Sequence, residues 1–134
     1  MKIVVGYIQS PEGQAALEAA VAEARLRDGE LVVVHSMRGG AKDEAQQAVS
    51  YREELERIEN RLVGEGVEVS VRRLVQGQSP AEDVIQVAQS EGADLIVIGL
   101  RKRSPVGKLV LGSNAQDILL SASCPVLTVK VAAP

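Results

Sequence analysis

Residues 98–117, IGLRKRSPVGKLVLGSNAQD, gather Arg101, Lys102, Arg103 and Lys108 around three glycines, with no carboxylate before Asp117. The chain as a whole has a formal net charge of −3, so this local excess of cations points to an anionic ligand, and a phosphate above all. Gly99 ends the apolar run DLIVIG, where the absence of a Cβ lets backbone approach a ligand closely. Gly112-Ser113-Asn114 opens a helical pattern whose first amides lack intrahelical partners and sit at the positive end of the helix dipole. Ser113 can add a hydroxyl, while Arg101 and Lys102 raise the local potential. The competing reading is plainer: Ser113 or Asn114 caps the helix and the cations are solvated.

Sharper phosphate motifs are missing. A P-loop needs a glycine ahead of Gly-Lys by four intervening residues and Ser or Thr behind it; Lys102 and Leu109 stand there instead. No G-x-G-x-x-G follows an apolar run, which excludes the dinucleotide fingerprint. Catalytic alternatives fare no better. His35, the one histidine, adjoins Ser36 in an apolar run, and strand neighbours point to opposite faces, so the two cannot form a nucleophile–base pair. Cys124 precedes Pro125 and reads as a small apolar residue rather than a redox centre. One histidine and one cysteine make a poor metal site. Tyr7 reads as core, and YREELERIENRL (51–62) as a solvated helix face with i, i+4 pairs. No catalytic residue is assigned; a slow ATPase is the most enzymatic reading open.

Composition narrows the ligand. With a net negative charge, no Phe or Trp, and only Tyr7 and Tyr51, the chain lacks both the basic surface and the stacking platforms of nucleic-acid binders. No run approaches membrane-spanning length, and the N-terminal apolar run is too short for a signal peptide. These features, with a single cysteine, predict a cytoplasmic protein that binds neither membrane nor nucleic acid.

The elements that must position the loop are legible. Apolar runs at 2–8, 31–36, 94–99 and 125–131 predict strands covered on both faces, as in parallel sheets. VEVSVRRLV (67–75) alternates, as a strand nearer an edge does. Leu17, Ala20, Val21 and Ala24 form a helical stripe; so do Ala48, Tyr51, Leu55, Ile58 and Leu62. Ala81, Val84, Ile85 and Ala88 form a third, and Ala115, Ile118, Leu119 and Ala122 a fourth. Ser10-Pro11 and Ser79-Pro80 mark helix starts, and Gly29, Gly64, Gly66 and Gly92 mark ends. Strict β-α alternation over 1–134 predicts one α/β domain, a single parallel sheet with helices on both faces. Such sheets bind ligands beyond the carboxyl ends of their strands, where the strand order reverses.

The chain resembles the universal stress protein family over nearly its whole length. The resemblance is carried by IVVGYIQSPEG, VVVHS, VQGQSPAEDVIQVAQSEGADLIVIG and GLRKRSPVGKLVLGSNAQDILLSASCPVLTVK. It implies a three-layer α/β/α fold of the adenine-nucleotide alpha-hydrolase type, with five parallel strands in order 3-2-1-4-5. It also implies a homodimer joined through the edge strand at 125–131, and an adenine nucleotide such as ATP, with or without magnesium. The family's phosphate pattern is glycine, two residues, glycine, nine residues, glycine, then Ser or Thr. Gly99 and Gly112-Ser113 match it, whereas Lys102 replaces the middle glycine. Ile8 stands where nucleotide-binding members carry an aspartate. Ser36 falls at the backbone contacts to adenine, and Gly77 matches a glycine near ribose and phosphates. Two functions follow: a non-catalytic nucleotide-binding stress-response dimer, or a dimeric interaction module whose pocket has lost ATP through Ile8 and Lys102.

Overall fold

The computed structural model describes residues 1–37, 44–75, 78–101 and 111–131. In chain order the elements are β1 (Lys2–Gly6), α1 (Pro11–Arg27), β2 (Glu30–Met37), α2 (Glu44–Gly64), β3 (Glu68–Val75), α3 (Pro80–Glu91), β4 (Leu95–Arg101), α4 (Ser113–Ser121) and β5 (Val126–Val131). All strands pair in parallel, in the order β3-β2-β1-β4-β5. The alternating strand at 67–75 is indeed at one edge, and β5 is at the other.

Alternation along each strand divides the core in two. Ile3, Val5, Tyr7 and Val33 face α1 and α2, where Leu17, Ala20, Leu55 and Leu62 are buried against them. Val4, Val32, Val34, Ile96 and Ile98 face α3 and α4, meeting Ala81, Val84, Ala88 and Ile118. Both faces of the central strands are therefore dry, which is why they read as unbroken apolar runs. The expected helical stripes are largely the buried ones, with Ala48, Tyr51 and Ile85 half-buried and α4 the exception. There Ile118 alone is fully buried, and Leu119 and Leu120 are exposed.

Local chemistry sets the helix ends. Ser10 accepts a hydrogen bond from Gly13 N at 3.1 Å, and Ser79 accepts one from Glu82 N at 3.1 Å, each with proline in the first turn. Gly92 closes α3 in the left-handed region. At the end of α1 that conformation falls on Asp28 (φ 52°, ψ 49°) rather than on the expected Gly29. Gly29 is needed for space instead, because a Cβ there would lie 2.7 Å from Met1 O. The first strand also stops at Gly6 rather than at residue 8, and Ile8 leads into the turn that caps α1.

Candidate functional site

At the carboxyl ends of β1, β2 and β4 the sheet opens into a cleft of about 160 Å³. Its walls come from Gly6, Tyr7 and Ile8 after β1, Val34 and Ser36 of β2, Ile98 and Gly99 of β4, and the first turns of α1, α3 and α4. β1 lies between β2 and β4, so the strand order reverses here and the connections leave on opposite faces. Four sequence-predicted residues, Ile8, Ser36, Gly99 and Asn114, meet in this one cleft. Gly112 and Ser113 are exposed at its α4 side. Arg101 ends β4 opposite Val131 of β5. Gly77 and Lys102 lie outside the described residues, as do Arg103 and Lys108.

The start of α4 departs from the capping reading. Its cap position is Gly112 (φ −68°, ψ 162°), which has no side chain to make a cap hydrogen bond. Asn114 turns elsewhere: its Oδ1 accepts from Ala81 N at 3.2 Å and ties the start of α4 to that of α3. Among the described residues the positive helix terminus therefore has no side-chain cap of its own.

Gly99 has a different role from the one its position suggests. A Cβ on it would fall 2.0 Å from Glu12 O and 2.6 Å from the same carbonyl carbon. The missing side chain admits the first turn of α1 to the end of β4. Gly13 does the same on the other side of that turn, where a Cβ would lie 1.8 Å from Ile8 O. Sequence reading passed over Gly13. A glycine inside a helix costs about 1 kcal/mol relative to alanine, and that cost was the available signal of close packing.

The adjacent polar residues of β2 part company as strand geometry requires. His35 points toward α2. Its ring stacks on Tyr51 with centroids 3.8 Å apart, and its Nδ1 lies 3.1 Å from Tyr7 O. Burial lowers its pKa, against the opposing pull of the Tyr7 carbonyl and Glu54. Ser36 points the other way and its hydroxyl donates to Asp83 Oδ2 on α3. No His–Ser pair exists. Tyr7 is buried with its hydroxyl inside: it donates to Glu54 Oε1 and accepts from Gln14 Nε2 at 2.7 Å. Burial first, and then the Glu54 carboxylate, hold the phenol well above its ordinary pKa. Glu54 thus leaves the solvated face expected of α2, and Arg61 pairs with Glu65, one residue past the helix, at 3.8 Å.

Cys124 is half-buried against the α3–α4 side of the core, and burial, then Asp94, raise its pKa, which disfavours thiolate. Among the described residues no group of three His, Cys, Asp or Glu side chains could hold a metal ion. Among them, too, no helix is long and apolar enough to cross a membrane.

The comparisons agree with this geometry. The model of the universal stress protein family matches residues 1–130. The chain belongs to the universal stress protein family. A universal stress protein of Mycolicibacterium smegmatis is 43% identical over 128 residues, covering 96% of each chain. Among solved structures, a universal stress protein from Archaeoglobus fulgidus is 39% identical with a TM-score of 0.82, covering 97% of this chain and 98% of its own. A structure of the universal stress protein from that organism in complex with dAMP is 34% identical with a TM-score of 0.75 and the same coverage. The order 3-2-1-4-5 implied by the resemblance is the order found.

Proposed function

We propose that this universal stress protein binds an adenine nucleotide such as ATP in the cleft above β1 and β4, without turning it over, and acts in the stress response as a cytoplasmic homodimer joined along β5. The observation that carries the reading is the glycine-capped start of α4 beside a cleft at the strand-order reversal. A space of about 160 Å³ is smaller than the ~300–1,000 Å³ of pockets that enclose whole ligands. It suits a base, with the phosphates extending to the Gly112 and Ser113 amides and the hydroxyl of Ser113. The dAMP complex of the Archaeoglobus fulgidus relative supports this ligand class.

Ile8, half-exposed at the cleft wall, supplies an apolar surface for base or ribose where a carboxylate is otherwise expected. Arg101, Lys102 and Gly77 complete the phosphate and ribose side in this reading, with Lys102 neutralising a phosphate. When bound, a magnesium ion would be held by the nucleotide's own phosphates. Among the described residues the cleft wall contributes one carboxylate, Glu12. β5 is an edge strand whose residues are mostly half-buried, which suits pairing with a second copy.

Calorimetric titration with ATP and native mass spectrometry of the purified protein test both parts. Saturable binding of one nucleotide per chain in a two-chain assembly is expected. Repeated failure to bind ATP, ADP or AMP removes the nucleotide reading and leaves the interaction module, which the loss of the aspartate at Ile8 favours.

A further inference from the structure

We propose that the cavity between α2 and β3 is a second small-molecule site, on the face of the sheet opposite Ser36, and that it takes a flat carboxylate carrying a hydroxyl at its far end. The cavity holds about 340 Å³, more than the cleft above β1 and β4 and within the ~300–1,000 Å³ of ligand pockets. Its walls include Ala48, Val49, Tyr51 and Arg52 of α2, His35 of β2 and Arg73 of β3. Arg52 and Arg73 are exposed at its rim. Both also border a neighbouring hollow lined by Glu56 and Glu59, yet among the described residues neither arginine is in an ion pair. Two guanidinium groups at one mouth, each with paired N–H donors, match a carboxylate.

His35 makes the opposite demand. It is 3% exposed, and its Nδ1 lies 3.1 Å from the Tyr7 carbonyl oxygen, which can only accept. Nδ1 therefore carries the ring proton, and in the neutral ring that burial favours, Nε2 is left as an acceptor. That atom is buried with no hydrogen-bond partner among the described residues. The two ring nitrogens diverge, so with Nδ1 turned toward β1, Nε2 is turned toward β3, the side of the cavity. What it lacks is a donor. Tyr51 lies over the imidazole and is otherwise tied, among the described residues, by a long bond from Gln9 N to its hydroxyl, 3.4 Å. A ligand's hydroxyl reaches Nε2 by turning that ring aside. Between the two polar ends, Ala48, Val49 and the Tyr51 ring suit an aromatic body.

His35 is the one histidine of the chain, so nitrogen NMR of the untagged full-length protein reads its ring directly. The probe is 4-hydroxybenzoate, with benzoate lacking the donor and 4-hydroxybenzyl alcohol lacking the anion. Saturable binding of 4-hydroxybenzoate is expected, with the Nε2 resonance moving as a lone pair does on accepting a hydrogen bond. Benzoate and the alcohol should each bind about ten-fold more weakly, the scale of one buried or charged hydrogen bond lost, and benzoate should leave Nε2 in place. Arg52→Gln and Arg73→Gln, both at exposed positions, should each weaken 4-hydroxybenzoate about ten-fold and leave the alcohol unaffected. Saturating ATP should not change the probe's affinity, because this site does not depend on the nucleotide reading of the cleft. Absence of saturation, equal affinity for benzoate, an unmoved Nε2 at saturation, binding that survives both arginine substitutions, or displacement by ATP each overturns the proposal.

Discussion

Alanine at Gly99 separates the two uses to which that glycine can be put. If the missing side chain makes room for α1, the cost of Gly99→Ala falls on stability. A Cβ 2.0 Å from Glu12 O must move about 1.4 Å to reach ordinary contact at 3.4 Å. Neither partner can yield freely. Gly99 is paired with Val129 in the sheet, and the turn holding Glu12 is fixed by the Ser10 cap and by Gly13 against Ile8. Relief therefore requires α1 to lift, opening gaps around Ala16, Leu17 and Ala20, all of which are fully buried. Overpacking of this kind costs about 1–3 kcal/mol, and the stiffer unfolded chain returns about 0.5 kcal/mol. A net loss of about 2 kcal/mol is expected, near 8 °C in Tm for a chain of this size. In urea the midpoint should fall by about 1 M at unchanged slope. Gly112→Ala is the control: nothing lies within 4 Å of a Cβ there, so its cost should stay under about 1 kcal/mol. A Gly99→Ala protein with native midpoint and slope that has lost ATP would show that the glycine serves the ligand, and the packing argument would be wrong.

Two other glycines should respond with opposite signs. Gly64→Ala, at the end of α2 with open space around it, should raise the unfolding free energy measured in urea by about 0.5–1 kcal/mol, while Gly92→Ala, at φ 63°, should lower it by about 1–2 kcal/mol. Tyr7→Phe takes a donor from Glu54 and an acceptor from Gln14 in a buried site, so a loss of about 1–3 kcal/mol in chemical denaturation is expected. His35 is held neutral by burial, with a folded-state pKa below the ordinary 6.5. The unfolded chain then takes up the proton first as pH falls. The stability from neutral His35 is complete above pH ~6.5 and declines below it, by at most about 1.4 kcal/mol per pH unit until the folded pKa is reached. Urea midpoints for the native protein and His35→Gln should converge between pH 7 and pH 5; parallel curves would contradict this.

Sequence alone determined the architecture. Unbroken runs such as IVVG and LIVIG exist because strands covered on both faces bury every side chain. Their alternation with capped helical stripes predicts a parallel sheet with helices on both faces, while the strand order was implied by the resemblance to the family. The place of the candidate cleft was legible for the same reason, since Gly99 and Gly112-Ser113 fall at the end of a strand and the start of a helix. Tertiary structure decided what the individual side chains do. Glu54 turns inward because Tyr7, 47 residues away, presents a buried hydroxyl. Asp83 of α3 is buried where Ser36 meets it from β2. Gly99 is glycine because a carbonyl of α1 occupies its missing Cβ. Periodicity records which face a residue takes, but the partner it meets there comes from a distant segment, and no local pattern encodes that meeting.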